Sequence, residues 1–547
     1  MLLFLAIWFF RVRDVNVVFF PDNEPAYINV VTEMPIGTDV NATNRFVTQM
    51  EADLEEIIAP YRPIIKSVLT TVGVGNEQFE SGNIPYKALT TITFVEYEFR
   101  SGIQTSAIMR EISNRMLGRY PGVKLAIEKD QTGPPAGDPI SLEVTGEDFE
   151  TLLALADSVV YRIEESGIEG IEGLGLDLEV GKPEMLIRLD RDKVRRYGLS
   201  TLQVANTLRT ALFGREVSDF KVGEEEYPIN MRLKEEYRYN SASLLNLAVP
   251  FVENGQTIQV PLSALADVEY RNTYGSVNRK DLNRVIGISS NVIEGYNATR
   301  INAQLAELLQ GVEFPEGYEL NFAGEQQEQM ESMQFLSRAL LIAVLLILVI
   351  LVSQFNSLVK PLIIIASVLF STIGVFGGIA TFRMDFVVVM TGIGIVSLAG
   401  IVVNNAIVLI DYIELLKKRK RREMGLKEGE FLPVYAAAEC IIEGGRTRLR
   451  PVLLTAITTV LGLIPLAIGL NIDFVGLLSE FRPNLYFGGD TVIFWGPISW
   501  TVIFGLTFAT FLTLVIVPVM YKITVNISKI INTRLIRLRK QEDIQAS

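Results

Sequence analysis

The chain has 547 residues, more than one compact domain holds, with 49% hydrophobic residues and a net charge of −13. It has no histidine and one cysteine, Cys440. This excludes an intrachain disulfide, zinc sites of the usual kind and histidine-based acid–base or nucleophilic catalysis.

The charge is segregated. Residues 1–334 carry a net −20 and residues 335–547 a net +7. An acidic, water-facing part thus precedes an apolar part whose charges are mostly basic, and an acidic surface argues against a nucleic-acid partner. At the start, residues 1–10 (MLLFLAIWFF) are apolar but shorter than the roughly 20 residues a membrane span needs. No basic segment precedes them and no small-residue cleavage site follows, so they read as a truncated transmembrane helix rather than a signal-peptide core.

Residues 11–334 hold no apolar run long enough to cross a bilayer, and their patterning repeats. Strand 27–33, helix 39–58, strands 64–72 and 88–95, helix 102–117 and strand 123–128 are predicted, a β-α-β-β-α-β order. Strand 140–145, helix 148–166, strand 184–189, strand 284–290, helix 297–310 and strand 318–322 repeat it. Pro134-Pro135 marks the join, and an insert over roughly 190–283 carries its own helix at 202–213. Two similar α/β units side by side create a cleft suited to a ligand, or a rigid scaffold without one. Methionines at 34, 50, 109, 116, 185 and 231 read as core packing; a thioether path for a soft metal would need them clustered.

Five apolar runs follow, at 335–352, 361–382, 386–413, 452–470 and 492–521, each long enough to span. The basic run Lys417–Arg422 and the basic tail 522–547 lie on one side, which the positive-inside rule makes cytoplasmic. The 471–490 loop, with Asp473, Glu480 and Asp490 against Arg482, then lies outside, with Trp495 and Trp500 as an aromatic belt. The expected fold class is therefore a membrane α-helical bundle of five full helices and a truncated N-terminal one. It carries a large α+β extracytoplasmic domain of two ferredoxin-like βαβ repeats and an insert.

The third full helix holds an unusual polar stripe. Ser397, Asn404 and Asp411 step by seven, with Asn405 adjacent and Gly400 one turn away. Polar groups facing lipid are costly, so the stripe is expected to face the bundle interior. On the fourth helix Arg448, Thr455, Gly462 and Gly469 also step by seven. The two stripes are expected to pack together, with Gly400 and Gly462 permitting close approach. Each polar residue reads either as interhelical glue or as part of a transport path. Asp411 also reads as an interfacial charge, and Arg448 as a snorkelling one. No nucleophile–base set or metal motif is visible, so no catalytic residue, metal ligand or cofactor is expected.

Several motifs resemble one family. Residues 19–24 (FFPDNE) with Met34-Pro-Ile-Gly37, Val204–Phe220, Gly400–Asp411, and Arg446–Pro451 (RTRLRP) running on through Thr455 and Gly462 resemble the C-terminal half of the resistance–nodulation–division (RND) efflux permeases of the acriflavine-resistance type. The resemblance covers residues 10–525. It implies a proton-driven homotrimer in the bacterial inner membrane, exporting amphiphilic or lipophilic solutes with a periplasmic adaptor and an outer-membrane channel. It makes residues 24–135 one porter subdomain, 138–189 with 284–325 the second, and 190–283 a docking insert. It ties Thr455 and Arg448 to a proton relay, and places Asn404 and Asn405 where the family often has Lys-Asn. The family's acidic pair belongs to an N-terminal half, which this chain would need as a partner. A SecF-type export subunit and a membrane-anchored scaffold are the alternatives; the first has a much shorter outer domain.

Overall fold

The structure, a computed structural model, describes all residues except 1, 22–23, 74–83, 130–136, 179–181, 254–255, 274–276, 427–431, 482–484 and 547. The Pro134-Pro135 join, Asp22, Asn23 and Arg482 lie outside the described residues, as do the side chains of 528–547 in the basic tail.

The short apolar start forms helix α1 (Leu2–Val12), whose neighbouring contact is aromatic: Phe10 meets Phe376 and Phe386 edge-on. The first α/β unit follows as β1 (Tyr27–Glu33), α2 (Val40–Ile58), β2 (Ile65–Val72), β3 (Lys87–Phe94), α3 (Thr105–Met116) and β4 (Lys124–Lys129). Burial alternates along β1, with Ile28, Val30 and Thr32 inward, as a half-buried strand requires. Asp39 starts α2 by accepting the Asn41 N–H at 3.1 Å. The strands pair antiparallel in the order β2-β3-β1-β4. Met50, Met109 and Met116 lie in the core with Ile28, Ile92 and Ile112, so three of the scattered methionines are packing residues.

The second unit contains β5 (Ile140–Gly146), α4 (Phe149–Ser166), β6 (Ile171–Leu176), β7 (Asn283–Val292), α5 (Ala298–Leu309) and β8 (Glu319–Phe322). These four pair in the order β6-β7-β5-β8, all antiparallel, the same arrangement by chain position as in the first unit, and a short fifth strand, Asn278–Lys280, pairs with the start of β7. One expectation is corrected here. The strand expected at 184–189 is not in this sheet; Lys182–Leu189 pairs with Ala266–Thr273. Its place is taken by β6, which sequence reading misses because Gly173 and Gly175 depress strand propensity. Gly173 adopts φ +70°, a conformation only glycine takes without strain.

A compact unit accordingly spans Leu178–Val277, against the 190–283 expected. Within it, Ser200 and Gln203 form a reciprocal capping box on helix Thr201–Leu212. Val204, Val249, Leu262 and Leu265 make its core, and the hairpin Arg215–Val222 with Glu225–Met231 is exposed throughout.

The two α/β sheets meet at their edges through side chains. The Ile127 N–H of β4 donates to Glu172 Oε1 of β6 at 3.3 Å, Asn291 Nδ2 to Glu128 Oε1 at 3.3 Å, and Lys129 pairs with Glu294 at 3.2 Å. Burial raises the Glu172 carboxyl above its ordinary range. The Ile127 N–H offsets part of that, and the Glu128 charge adds to it.

Among the described residues, five further helices are long and apolar enough to cross a membrane: α6 (Gly324–Phe355), α7 (Val359–Phe382), α8 (Val388–Glu423), α9 (Val434–Ile468) and α10 (Asp490–Ala546). All five begin or end beyond the apolar runs. α9 starts 18 residues before 452 and passes through Pro451, and α10 runs on into the basic tail. Lys and Arg are good helix formers, so charge ends the apolar span without ending the helix. The helices pack closely where Gly505 of α10 lies against Leu398 and Val375, and Gly394 of α8 against Thr501. Trp500 Nε1 donates to the Ala467 carbonyl at 2.9 Å, satisfying a group that the end of α9 leaves open.

Because Glu172 is raised, the folded chain keeps a proton that the unfolded chain has released once pH passes the ordinary glutamate value of about 4.3. Its contribution to stability therefore falls as pH rises through that window. Glu172→Gln keeps an acceptor for the Ile127 N–H and removes the charge. The variant should gain thermal stability over the parent as pH rises from about 4 to neutrality. Parallel stability–pH curves for the two proteins would contradict this role.

Candidate functional site

The long α8 and α9 helices bring together residues 50 positions apart. A cavity of about 290 Å³ is lined by Gly400, Ile401, Asn404 and Asn405 of α8, Thr455, Ala456 and Thr459 of α9, and Leu506 of α10. Asn405 is buried at 8% exposure, while Asn404, Thr455 and Gly400 are exposed on this chain. The Thr455 hydroxyl donates to the Val452 carbonyl at 2.9 Å and lies 3.5 Å from Asn405 Oδ1. Thr459 Oγ1 donates to the Thr455 carbonyl at 2.9 Å. These bonds back to the preceding turn are the usual way a helical threonine satisfies its proton.

Three of the five expected polar residues, Asn404, Asn405 and Thr455, thus share one cavity. Asp411 and Arg448 do not line it. Asp411 is exposed, two helical turns along α8. The Arg448 guanidinium lies 4.4 Å above the Tyr412 ring, and its Nε is buried with no hydrogen-bond partner among the described residues.

The two stripes meet at Asn405 and Thr455, but the close approach expected at Gly400 and Gly462 is not seen. Nothing lies within 4 Å of where a Cβ would stand on either glycine. The close approach of α8 and α9 is at Gly444 instead, where a Cβ would stand 2.6 Å from Ile413 Cγ1. Seven-residue spacing defines a helix face and does not say which neighbour covers it.

Two features escaped sequence reading. Glu414 of α8 accepts from Tyr521 of α10 and binds Lys360 of α7 at 3.2 Å and Lys417 at 3.3 Å, with Lys417 also donating to Tyr521 at 2.9 Å. Its signal was present as a carboxylate one turn beyond Asp411, just ahead of the basic run Lys417–Arg422. At the other end, Glu24 accepts the Ser106 N–H and the Thr105 and Ser106 hydroxyls at 2.8–3.0 Å, capping α3. Burial pushes its carboxyl up, and these hydrogen bonds more than reverse that, leaving it below the ordinary range. Glu24 borders a second cavity of about 230 Å³ with Tyr97, Glu98, Arg100 and Tyr486.

Residues 1–525 match the AcrB/AcrD/AcrF family. The chain belongs to that family. It is accordingly a chain of the RND type and a multi-pass membrane protein. Cobalt-zinc-cadmium resistance protein CzcA of Cupriavidus metallidurans is 27% identical over 387 residues, 70% of this chain and 33% of that protein. Multidrug resistance protein MdtC of Proteus mirabilis is 26% identical over 345 residues, 63% of this chain and 30% of that protein. The crystal structure of a heavy metal efflux pump superposes with a TM-score of 0.72 at 21% identity, over 95% of this chain and 50% of that one. The likeness to the pump shows the fold. The matched stretches thus span about a third of these two relatives and half of the solved pump.

The glycine geometry of this RND chain is directly testable. Gly400→Ala and Gly462→Ala should leave thermal stability in detergent unchanged or raise it by up to about 1 kcal/mol, the helix-propensity gain. Gly444→Ala should lower it by ~1–3 kcal/mol through overpacking against Ile413. The reverse ranking would restore the close-packing role to the first two.

Proposed function

We propose that this chain is the C-terminal half of an RND export permease that moves amphiphilic or lipophilic solutes outward, powered by ion flux, with the proton as the family's expected ion. The observation that carries this reading is the polar cavity of Asn404, Asn405 and Thr455, open on a face of a membrane bundle. Polar groups at that depth need partners, and a covering helix from an N-terminal half would supply them, including the acidic pair of the family. On this reading the two α/β units are ferredoxin-like porter subdomains that bind the solute, and Leu178–Val277 is the docking unit. The outer domain lies in the periplasm, the basic segments lie in the cytoplasm, and the assembly is a trimer with an adaptor and an outer-membrane channel. The chain is a transporter and not an enzyme, and the reading requires no cofactor.

The family match over residues 1–525 disfavours a SecF-type subunit. The name of CzcA raises metal ions as cargo. Against this, the chain has no histidine, and Met50, Met109 and Met116 are buried in packing. The anchored scaffold remains the contrast to test. In cells dependent on this chain for export of an amphiphilic dye, Asn404→Leu and Thr455→Val should each cut export at least about tenfold, the consequence of losing roughly 1.4 kcal/mol, at unchanged membrane levels. Full export by both variants would favour the scaffold.

A further inference from the structure

Three apolar runs of the bundle end at one level, and polar side chains mark it. Lys360 immediately precedes the run 361–382, Glu414 immediately follows the run 386–413, and Tyr521 closes the run 492–521. The structure brings them together with Lys417. Lys360 Nζ and Lys417 Nζ lie 3.2 and 3.3 Å from the same Glu414 oxygen, Oε1, so the two nitrogens are at most 6.5 Å apart. Lys417 also donates to the Tyr521 hydroxyl at 2.9 Å, and that hydroxyl donates to Glu414. Arg421, one turn beyond Lys417 on α8, is near enough for its charge to act on both Lys417 and Tyr521. Its Nε is buried and has no hydrogen-bond partner among the described residues.

These charges do not balance. One carboxylate faces three cations, and the Lys360 and Lys417 side chains are only 23% and 14% exposed. Buried charge without a counterion is costly. An ammonium has three protons to donate, and Glu414 is the one acceptor that Lys360 meets among the described residues. The start of α7 adds to the same field. No side chain caps it, its first turn holds no acidic residue, and Lys360 is its second residue. A helix start presents N–H groups and the positive end of the dipole.

We infer that Lys360, Lys417 and Arg421 form a binding site for the phosphate of an acidic phospholipid headgroup. Such a site goes beyond the permease reading and stands whether or not the chain exports. A phosphate accepts charge-assisted bonds of about 2.8 Å, so one phosphate beside the two ammoniums reaches both. The end of three apolar runs is the headgroup level of a bilayer, where a lipid phosphate sits while its chains stay in hydrocarbon. A zwitterionic headgroup would bring its own ammonium into this excess of cations, and an acidic one does not. Glu414 sets the spacing of the two lysines but competes with the phosphate for their protons.

The test is native mass spectrometry of the full chain in detergent, titrated with phosphatidylglycerol and, separately, with phosphatidylcholine of the same acyl chains. The first phosphatidylglycerol should bind at least about fivefold more tightly than the first phosphatidylcholine, the weight of roughly one basic residue at an anionic headgroup. Lys360→Gln and Arg421→Gln should each remove most of that preference. Lys360→Arg should keep it, which separates loss of charge from loss of fold. Glu414→Gln should strengthen it, because an acceptor for the lysines remains while the competing charge is gone; a purely structural ion pair predicts no gain. Lys418→Gln combined with Arg419→Gln removes two exposed charges from the same helix and should leave the preference within about twofold. No preference in the parent overturns the site, as does a loss in this double variant equal to that in Lys360→Gln. Inorganic phosphate that displaces the bound lipid mole for mole assigns the pocket to a soluble anion and overturns the lipid source; weaker competition supports it.

Discussion

A hydrocarbon environment supplies no hydrogen-bond partners, and that constraint governs the membrane half of this protein. Backbone groups are satisfied by unbroken helices. Hydroxyls on α7 and α9 are mostly turned back onto their own helix, as with Ser371 onto Val368 and Thr455 onto Val452. Where glycines occur, several convert into contact: Gly505 takes Leu398, and Gly444 takes Ile413. The exception is the face that carries Gly400, Asn404 and Thr455, which is polar and open. A membrane protein keeps such a face only where something else completes it, and the site reading follows from that exception.

The α/β part obeys a different rule. There water is available, and the two α/β sheets join by side-chain bridges from Glu172, Glu128 and Lys129 rather than by a continuous ladder. A ladder would fuse the sheets into one rigid body. Side-chain bridges hold two units of equal strand order together while leaving each with its own core.

Much of this was legible in the sequence. The five spans, the first α/β unit and the grouping of Asn404, Asn405 and Thr455 follow from hydrophobic period and helix spacing, both local properties. What was not legible depended on neighbours. The strand β6 hides behind Gly173 and Gly175, and Lys182–Leu189 pairs with residues about 80 positions away. Gly400 and Gly462 carry the spacing of packing glycines, yet Gly444 is the one that packs. Glu414 carries no local signal because its partners, Lys360 and Tyr521, are remote in the chain.

That Glu414 cluster also bears on how the bundle is made. The chain is synthesised from its N-terminus, so Lys360, Glu414 and Lys417 are present together well before Tyr521, which follows Glu414 by 107 residues. At about 5–20 residues per second, the interval is roughly 5–20 seconds. During it Glu414 can bridge the two lysines, holding α7 and α8 as a pair at the membrane surface, with one acceptor position still to be filled by the tyrosine. The last helix thus arrives at a prepared seat, and its hydroxyl closes the ring of contacts that marks biosynthesis of the bundle as complete.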